Sequence, residues 1–540
     1  MPPPHVSASD FSIDGRRLAL LSAFAAVLGA VSALLAKALL SLIGLITHLA
    51  YGGTIGWSLE APDPHRIGPI SIIVPVLGAL AVGLIARFGS DKIRGHGIPE
   101  AIQSILERDS IISGRVAFWK PLASAIAIGT GSPFGAEGPI IMTGGAIGSL
   151  CAQFFHLTSF ERRTLLVAGA AGGMSATFGA PIASVLIAVE LLLFEWRPRS
   201  FIPVAVASFV AVAVRATIIG TALPFGALHT LTLSTSMLPW AVAIGLCGGL
   251  VSLLMTKSVY AVEDAYERLP IHWMWWPALG AVFVGIGGWF VPAALGVGYP
   301  TIDALVNGSL ALPAIVTIAL MKVVLWVVSL SSGTSGGVLA PLLMIGAAMG
   351  SIVSSVLIPG SDHGAWAIVG MAALMGGTMR APFMATLFAL ETTHAWGVAP
   401  EVFAGCVAAT AFTVVFVPRS ILTEKLARRG THVAREYAVH PLELVPVRAI
   451  MRAIAITDEK PSRSVGVRDT ALSAADMLAS SHAGSLAVID EGGTWVGLVT
   501  NADVLRAWRR GLNQEQRRRR VRRFGAAMPP RRKTGPSPTA

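Results

Sequence analysis

"GTGSPFGAEGP" occupies Gly129–Pro139, and its reading decides the fold. It lies between two apolar runs, Phe118–Ile128 and Ile140–Phe155, and carries one carboxylate, Glu137. Glycine lets a backbone bend and lets other groups approach it closely. Proline is at home in the first turn of a helix, where its missing N–H is no loss. The stretch therefore reads as a loop feeding an apolar helix, with an acid at the helix start. Two further stretches share the design: "GHGIPE" at Gly95–Glu100 and "GGVLAP" at Gly336–Pro341.

The surroundings are those of a membrane protein. Of the 540 residues, 54% are hydrophobic and 13% charged, against about 25% charged in soluble domains. Mean hydropathy is +0.68. A bilayer core requires roughly 20 apolar residues per helix. Several of the runs Leu18–Ala50, Ile70–Ile85, Leu238–Met255, Trp273–Phe290 and Ala311–Val328 reach that length. The chain thus reads as an all-α polytopic membrane protein. Its membrane body is residues 17–430, behind a polar, Pro-rich leader at residues 1–16. The leader is not read as a signal peptide, because the first apolar run is too long for one. Irregular backbone within a bilayer is tolerated where it is buried or lines a wet cavity. The glycine-rich loops are therefore expected to line a pathway, while other glycines let helices pack closely.

Helices that start at such loops aim orphan N–H groups and a positive dipole end into the cavity. That arrangement attracts an anion without a full positive charge. A pore must also release what it binds, which partial charges permit better than a lysine. Glu137 can fill such a site itself. If it swings away or takes a proton, the site opens, so it reads as a tethered competitor and a gate. The other reading is a helix N-cap acid. Ionisable groups inside membranes default to function.

The body repeats. "GSPFGAEGPI" from Gly131 aligns with "GTSGGVLAPL" from Gly333. "VAGAAGGMSATFGAPIASVLIAVE" from Val167 aligns with "IVGMAALMGGTMRAPFMATLFALE" from Ile368, pairing Pro181 with Pro382 and Glu190 with Glu391. Transporter folds are often built from such halves, with sites where broken helices converge.

The three loops, in this order and spacing, resemble the signature loops of the CLC family of chloride channels and chloride/proton exchangers. The resemblance covers residues 17–430. It implies about eighteen helices in two inverted halves, and a homodimer with a separate pore in each subunit. It places Glu137 on the external gating glutamate. The amides of Ala136 and Glu137 would form an outer anion site, and those of Val338 and Leu339 would help form a central one. His96, Gly97, Ile98 and Leu422 complete the expected anion-binding set. Lys120 matches a buried lysine near the pore; the alternative is snorkelling to an interface.

Three departures stand out. His96 replaces the usual serine of the first loop, so an imidazole that can change charge near neutral pH stands in for a hydroxyl. Leu422, in "RSILTEKLARRG" (Arg419–Gly430), stands where members carry a tyrosine. Leu191 occupies the place of the exchangers' inner proton-carrying glutamate, with Glu190 one residue before it. Leucine carries no proton, which favours passive conduction. Glu195, about a turn along the same predicted helix, or water could replace the relay. Glu190, with its repeat partner Glu391, reads as structural at a helix end.

Residues 431–540 have ordinary polarity. "VRAIM" (Val447–Met451) opens a pattern that continues with a helix at Ala471–Ser480, strands "SLAVID" and "WVGLVT", and a helix capped by Asn501. It resembles a single CBS motif over residues 431–523, with "FGAAMPP" (Phe524–Pro530) beginning a second that stops. In that resemblance Thr500 and Asp503 fall where an adenine nucleotide's ribose is held. The alternative, a dimerisation module without ligand, is preferred, and no cofactor is expected. The net charge of +11 is concentrated in the arginines from Arg506 to Arg532, including the basic tail 524–540. Basic segments beside a membrane stay cytoplasmic, so the C-terminus is placed inside a cell (inner) membrane. No aromatic residue interleaves Arg517–Arg523, which points away from nucleic acid. Cys151, Cys247 and Cys406 are far apart and fit no metal spacing or disulfide framework. No nucleophile–base pairing suggests an enzyme. The expectation is a chloride channel gated by Glu137. Alternatives are a chloride/proton antiporter and, more remotely, a CBS-bearing divalent-cation transporter, which would need several intramembrane acids.

Overall fold

The computed structural model describes residues 15–107, 110–193, 195–221, 224–226, 231–428, 442, 445–454, 461–481, 484–490 and 492–516. Two compact units emerge, one spanning Ile13–Arg435 and the other holding Glu436–Ala540. Most of the leader, "FGAAMPP" and the basic tail lie outside the described residues.

Among the described residues, the named elements of the first unit are all helices. Its first half runs α1 (Gly15–Thr47), α2 (Ile73–Phe88), α3 (Ile98–Glu107), α4 (Gly114–Gly129), α5 (Glu137–Gln153), α6 (Ser159–Phe178), α7 (Pro181–Ile187) and α8 (Pro198–Ile218). The second half repeats the order: α9 (Leu238–Glu267), α10 (Trp276–Phe290), α11 (Tyr299–Val306), α12 (Leu312–Ser331), α13 (Leu339–Leu357), α14 (His363–Met379), α15 (Pro382–Thr393) and α16 (Ala399–Phe416). A further short helix, α17 (Ile421–Arg428), follows. Long and short helices fall at matching places in both halves. Seven helical segments among the described residues are long and apolar enough to cross a membrane; the short ones are not.

The halves are inverted. Gly135 and Gly337, equivalent in the repeat, form an antiparallel bridge and exchange both N–H···O bonds, at 3.2 and 2.8 Å. Equivalent residues that meet antiparallel are related by a two-fold rotation between the halves. The same rotation recurs elsewhere. Glu391 accepts hydrogen bonds from the N–H groups of Ile182 and Ala183 at the start of α7, at 2.9 and 2.8 Å. Glu190 reciprocates on Phe383 and Met384 at the start of α15, at 3.4 and 2.8 Å. Each acid offsets the positive end of the other half's helix. Within each half the packing is also matched. An added Cβ at Gly144 would lie 2.2 Å from the Gly169 carbonyl oxygen, and one at Gly346 2.6 Å from that of Gly370. Small residues bring α5 onto α6 and α13 onto α14 this closely.

Beyond Ile187 the chain makes a turn of π-helix, Ala188–Leu193. Glu195 lies past it and not on the same helix; it pairs with Arg197 at 3.7 Å and accepts from the Ser200 hydroxyl at 3.1 Å.

The second unit is a small α/β fold. β1 (Ser464–Gly466), α18 (Ala471–Ser481), β2 (Ser485–Ile489), β3 (Trp495–Thr500) and α19 (Asn501–Gln516) follow in order. β1 lies parallel to β2, which lies antiparallel to β3. Helix α18 supplies the crossover that parallel neighbours demand. Val465, Leu478, Leu486, Val488 and Val499 form its core.

Candidate functional site

Four loops meet between the halves. Three are those read from the sequence. The fourth, "GVGYP" at Gly296–Pro300, opens α11 and is the repeat partner of "GHGIP" at Gly95–Pro99. Displacing the first loop by the repeat offset would have found it. Gly95 N–H bonds the Gly333 carbonyl at 3.3 Å, and Gly296 N–H bonds that of Gly131 at 3.1 Å. With the Gly135–Gly337 bridge, these bonds join all four loops. Gly97 and its partner Gly298 both have φ in the left-handed region, at +94° and +79°, where a side chain would be strained.

A buried lysine fixes each of the two outer loops, the first and the fourth. Lys120, fully buried, donates to the carbonyls of Ile93 and Gly95 at 2.7 and 2.5 Å. It does not snorkel. Lys322, equally buried and absent from the sequence reading, donates to Ala294 and Gly296 at 3.0 and 2.9 Å. Its place at the repeat offset from Lys120 was the available signal. Both ammonium groups bind loop backbone.

Glu137 is fully buried. Its Oε1 accepts a hydrogen bond from the Ala340 N–H in the first turn of α13. The carboxylate therefore serves the facing half's helix, reaching across the junction. Two glycines make the room. An added Cβ at Gly135 would lie 1.8 Å from Glu137 Oε2, and one at Gly337 2.9 Å from its carboxyl carbon. Val338 and Leu339, also buried, precede Ala340 at the N-terminus of α13, and Ala136 stands before α5. A carboxyl oxygen thus occupies the helix end that the sequence reading reserves for a permeant anion.

His96 is buried, and its carbonyl oxygen would lie 2.1 Å from a Cβ added at Gly138. Gly97 N–H donates to Glu100 at 3.0 Å, and Ile98 begins α3, buried. Leu422 is buried on α17. A tyrosine does reach this helix, but from α9: the Tyr260 hydroxyl donates to the Ile421 carbonyl at 2.5 Å. Lys425, on α17, approaches Glu100 at 3.8 Å. These residues border a cavity of about 510 Å³ lined by Lys92, Arg94, Glu100, Lys425 and Arg428. A smaller cavity of about 240 Å³ lies beside the partner loop and is lined by Glu60, Gly298, Tyr299 and Asp303. Leu191 is buried in the π-turn.

The family model for voltage gated chloride channels matches residues 77–414, well over half of the chain. The chain belongs to the CLC family. CLC proteins transport anions across membranes. Among curated relatives, the H(+)/Cl(-) exchange transporter ClcA of Klebsiella pneumoniae (strain 342) is 28% identical, over 64% of this chain and 76% of that one. The voltage-gated ClC-type chloride channel ClcB of Escherichia coli (strain SMS-3-5 / SECEC) is 29% identical, over 66% and 87%. Among solved structures, a slow cyanobacterial Cl-/H+ antiporter matches with a TM-score of 0.69 at 22% identity, covering 77% of this chain and 99% of that one. A CLC-type fluoride/proton antiporter matches at 0.64 and 19%, covering 76% and 98%. These structures share the CLC fold.

In the second unit Thr500 and Asp503 satisfy each other. The Thr500 N–H and hydroxyl both donate to Asp503 Oδ2, at 2.9 and 2.6 Å, and Arg506 pairs with Oδ1. Asp503, and not Asn501, reaches back over the start of α19.

Proposed function

We propose that this CLC protein exchanges chloride for protons, with Glu137 as the station that both ions use in turn. The observation that supports this reading is the Glu137 carboxylate seated on the Ala340 N–H at the start of α13. The peptide dipoles that hold a carboxylate there hold chloride by the same means. One anion at a time fits. Chloride arriving at α13 displaces the carboxylate, and the displaced carboxylate is free to take a proton. When the proton leaves, the carboxylate returns and expels chloride. Relatives named as H(+)/Cl(-) exchange transporters lend weight to coupling over passive conduction. Passive conduction is the second reading. Leu191 favours it, since a buried leucine interrupts the proton's way on one side.

In the same reading each subunit of a homodimer has its own pathway, and the second unit, a CBS-like module acting without a nucleotide, lies on the cytoplasmic side of the inner membrane. The divalent-cation alternative is not favoured, since the matching family model and the curated relatives' names all point to chloride.

The test is proton movement in vesicles holding the purified protein. A chloride gradient should drive protons uphill through the wild type. Glu137→Gln should abolish proton movement and still pass chloride. Chloride flux with no proton movement in the wild type would select the channel reading.

A further inference from the structure

The four loops share one backbone frame across the two-fold, so the side chains that differ between equivalent positions are informative. His96 faces Val297 in this comparison, Glu137 faces Leu339, and Tyr299 faces Ile98. The first two polar members belong to the site already described. The third, Tyr299, has been given no role.

The Tyr299 hydroxyl oxygen is buried and finds no hydrogen-bond partner among the described residues. Its ring is held edge-on by Phe178 and Phe225, at centroid distances of 6.0 and 5.8 Å. Edge-on aromatic neighbours fix the ring. A fixed, unpaired buried hydroxyl is costly unless a partner arrives. Tyr299 lies within electrostatic reach of Glu137. It also borders the smaller cavity, with Glu60 and Asp303.

We propose that the Tyr299 hydroxyl receives the Glu137 carboxylate when an anion takes its place at α13. This rests on the reading of Glu137 as the gate. An ionised carboxylate that leaves Ala340 must find another donor inside the protein. The neighbouring ionisable groups leave one choice. Lys322, on α12, is committed to the Ala294 and Gly296 carbonyls. The Tyr51 hydroxyl, beside Gly131, is committed to the Thr130 carbonyl at 2.9 Å. Glu60 and Asp303 are acids and repel a carboxylate. Tyr299 has its proton to give. A protonated Glu137 needs no such donor, so Tyr299 matters only while Glu137 is charged.

The experiment compares chloride efflux from vesicles, from acid to mildly alkaline pH, for wild type, Tyr299→Phe, Glu137→Gln and the double variant. Tyr299→Phe should match the wild type at acid pH, which also certifies its folding. At alkaline pH it should be about tenfold slower, the cost of one lost hydrogen bond to a charge. In the Glu137→Gln background the same substitution should change nothing. A Tyr299→Phe profile that overlays the wild type overturns the proposal. So does a uniform loss at every pH, or a loss that persists in the double variant. If Glu137→Gln itself keeps the wild-type pH dependence, the gate reading falls first and takes the proposal with it.

Discussion

Glu137 works because two residues near it have no side chain. A Cβ at Gly135 would lie 1.8 Å from Glu137 Oε2, and no carboxylate tolerates that. Gly135→Ala should therefore evict the carboxylate from α13. Chloride flux at alkaline pH should rise toward that of Glu137→Gln, as read in the same vesicle assay; an unchanged flux would show that the carboxylate does not sit there in solution. Lys120 and Lys322 act at the same scale. Each holds two buried carbonyls, and orphaning a buried acceptor costs about 1–3 kcal/mol. Lys120→Met and Lys322→Met should each lower stability by about 3 kcal/mol, seen as similar falls in thermal midpoint. Unequal effects would break the symmetry argument. Glu137 was visible in the sequence because a lone carboxylate is out of place among those glycines, and His96 because it departs from the serine that the resemblance leads one to expect. Tyr299 was not, because a tyrosine among apolar residues looks like any aromatic. Lys322 was hidden inside Ala311–Val328, which hydropathy alone reads as a lipid-spanning run.

Among elements, the loop-started helices α3, α5, α11 and α13 matter most, and none starts in isolation. Three of their four loops were legible from glycine and proline placement, since those residues have a local backbone reason to be there. How the loops meet was not legible. The bonds between Gly95 and Gly333, and between Gly131 and Gly296, join residues far apart in the chain. Helix α17 adds a charge the loops lack. Lys425 stands 3.8 Å from Glu100 in a cavity lined by the basic residues Lys92, Arg94, Lys425 and Arg428 and the acids Glu100, Glu263 and Glu267. Lys425 gives this mixed lining its slight basic excess, which favours anions, and salt screens it. Lys425→Glu should slow chloride flux several-fold at low ionic strength and much less at high. Equal slowing at both would mean that Lys425 only ties α17 to α3. In the second unit, β2 and β3 were legible as apolar strands, whereas β1 has three residues, too few to show an alternation. It is a strand because α18 returns the chain beside it.

At the scale of the whole molecule, the sequence showed a repeat but not its inversion. Both halves read in the same chain direction; the antiparallel meeting of Gly135 and Gly337, with the reciprocal contacts of Glu190 and Glu391, reveals the two-fold. The second unit carries its own pH dependence. Burial opposes the charge on Asp503, but hydrogen bonds from Thr500 and the Arg506 guanidinium outweigh it and hold the carboxyl below its usual range. A carboxyl lowered by folding contributes stability above its unfolded pKa of about 4, and loses it as pH falls through the folded value. Hydrogen exchange of the intact chain should therefore show α19 and β3 protected near neutral pH and opening in acid. Asp503→Asn should open them at neutral pH. The larger claim is that helix starts from both halves form one anion site in mid-membrane, and that Glu137 fills it. Bromide scatters anomalously and substitutes for chloride, so crystals of the Glu137→Gln variant soaked in bromide test that claim most directly. An anomalous peak is expected at the Ala340 N–H, where the wild type has its carboxylate. A variant whose α13 N-terminus stays empty, with bromide elsewhere or nowhere, would contradict it.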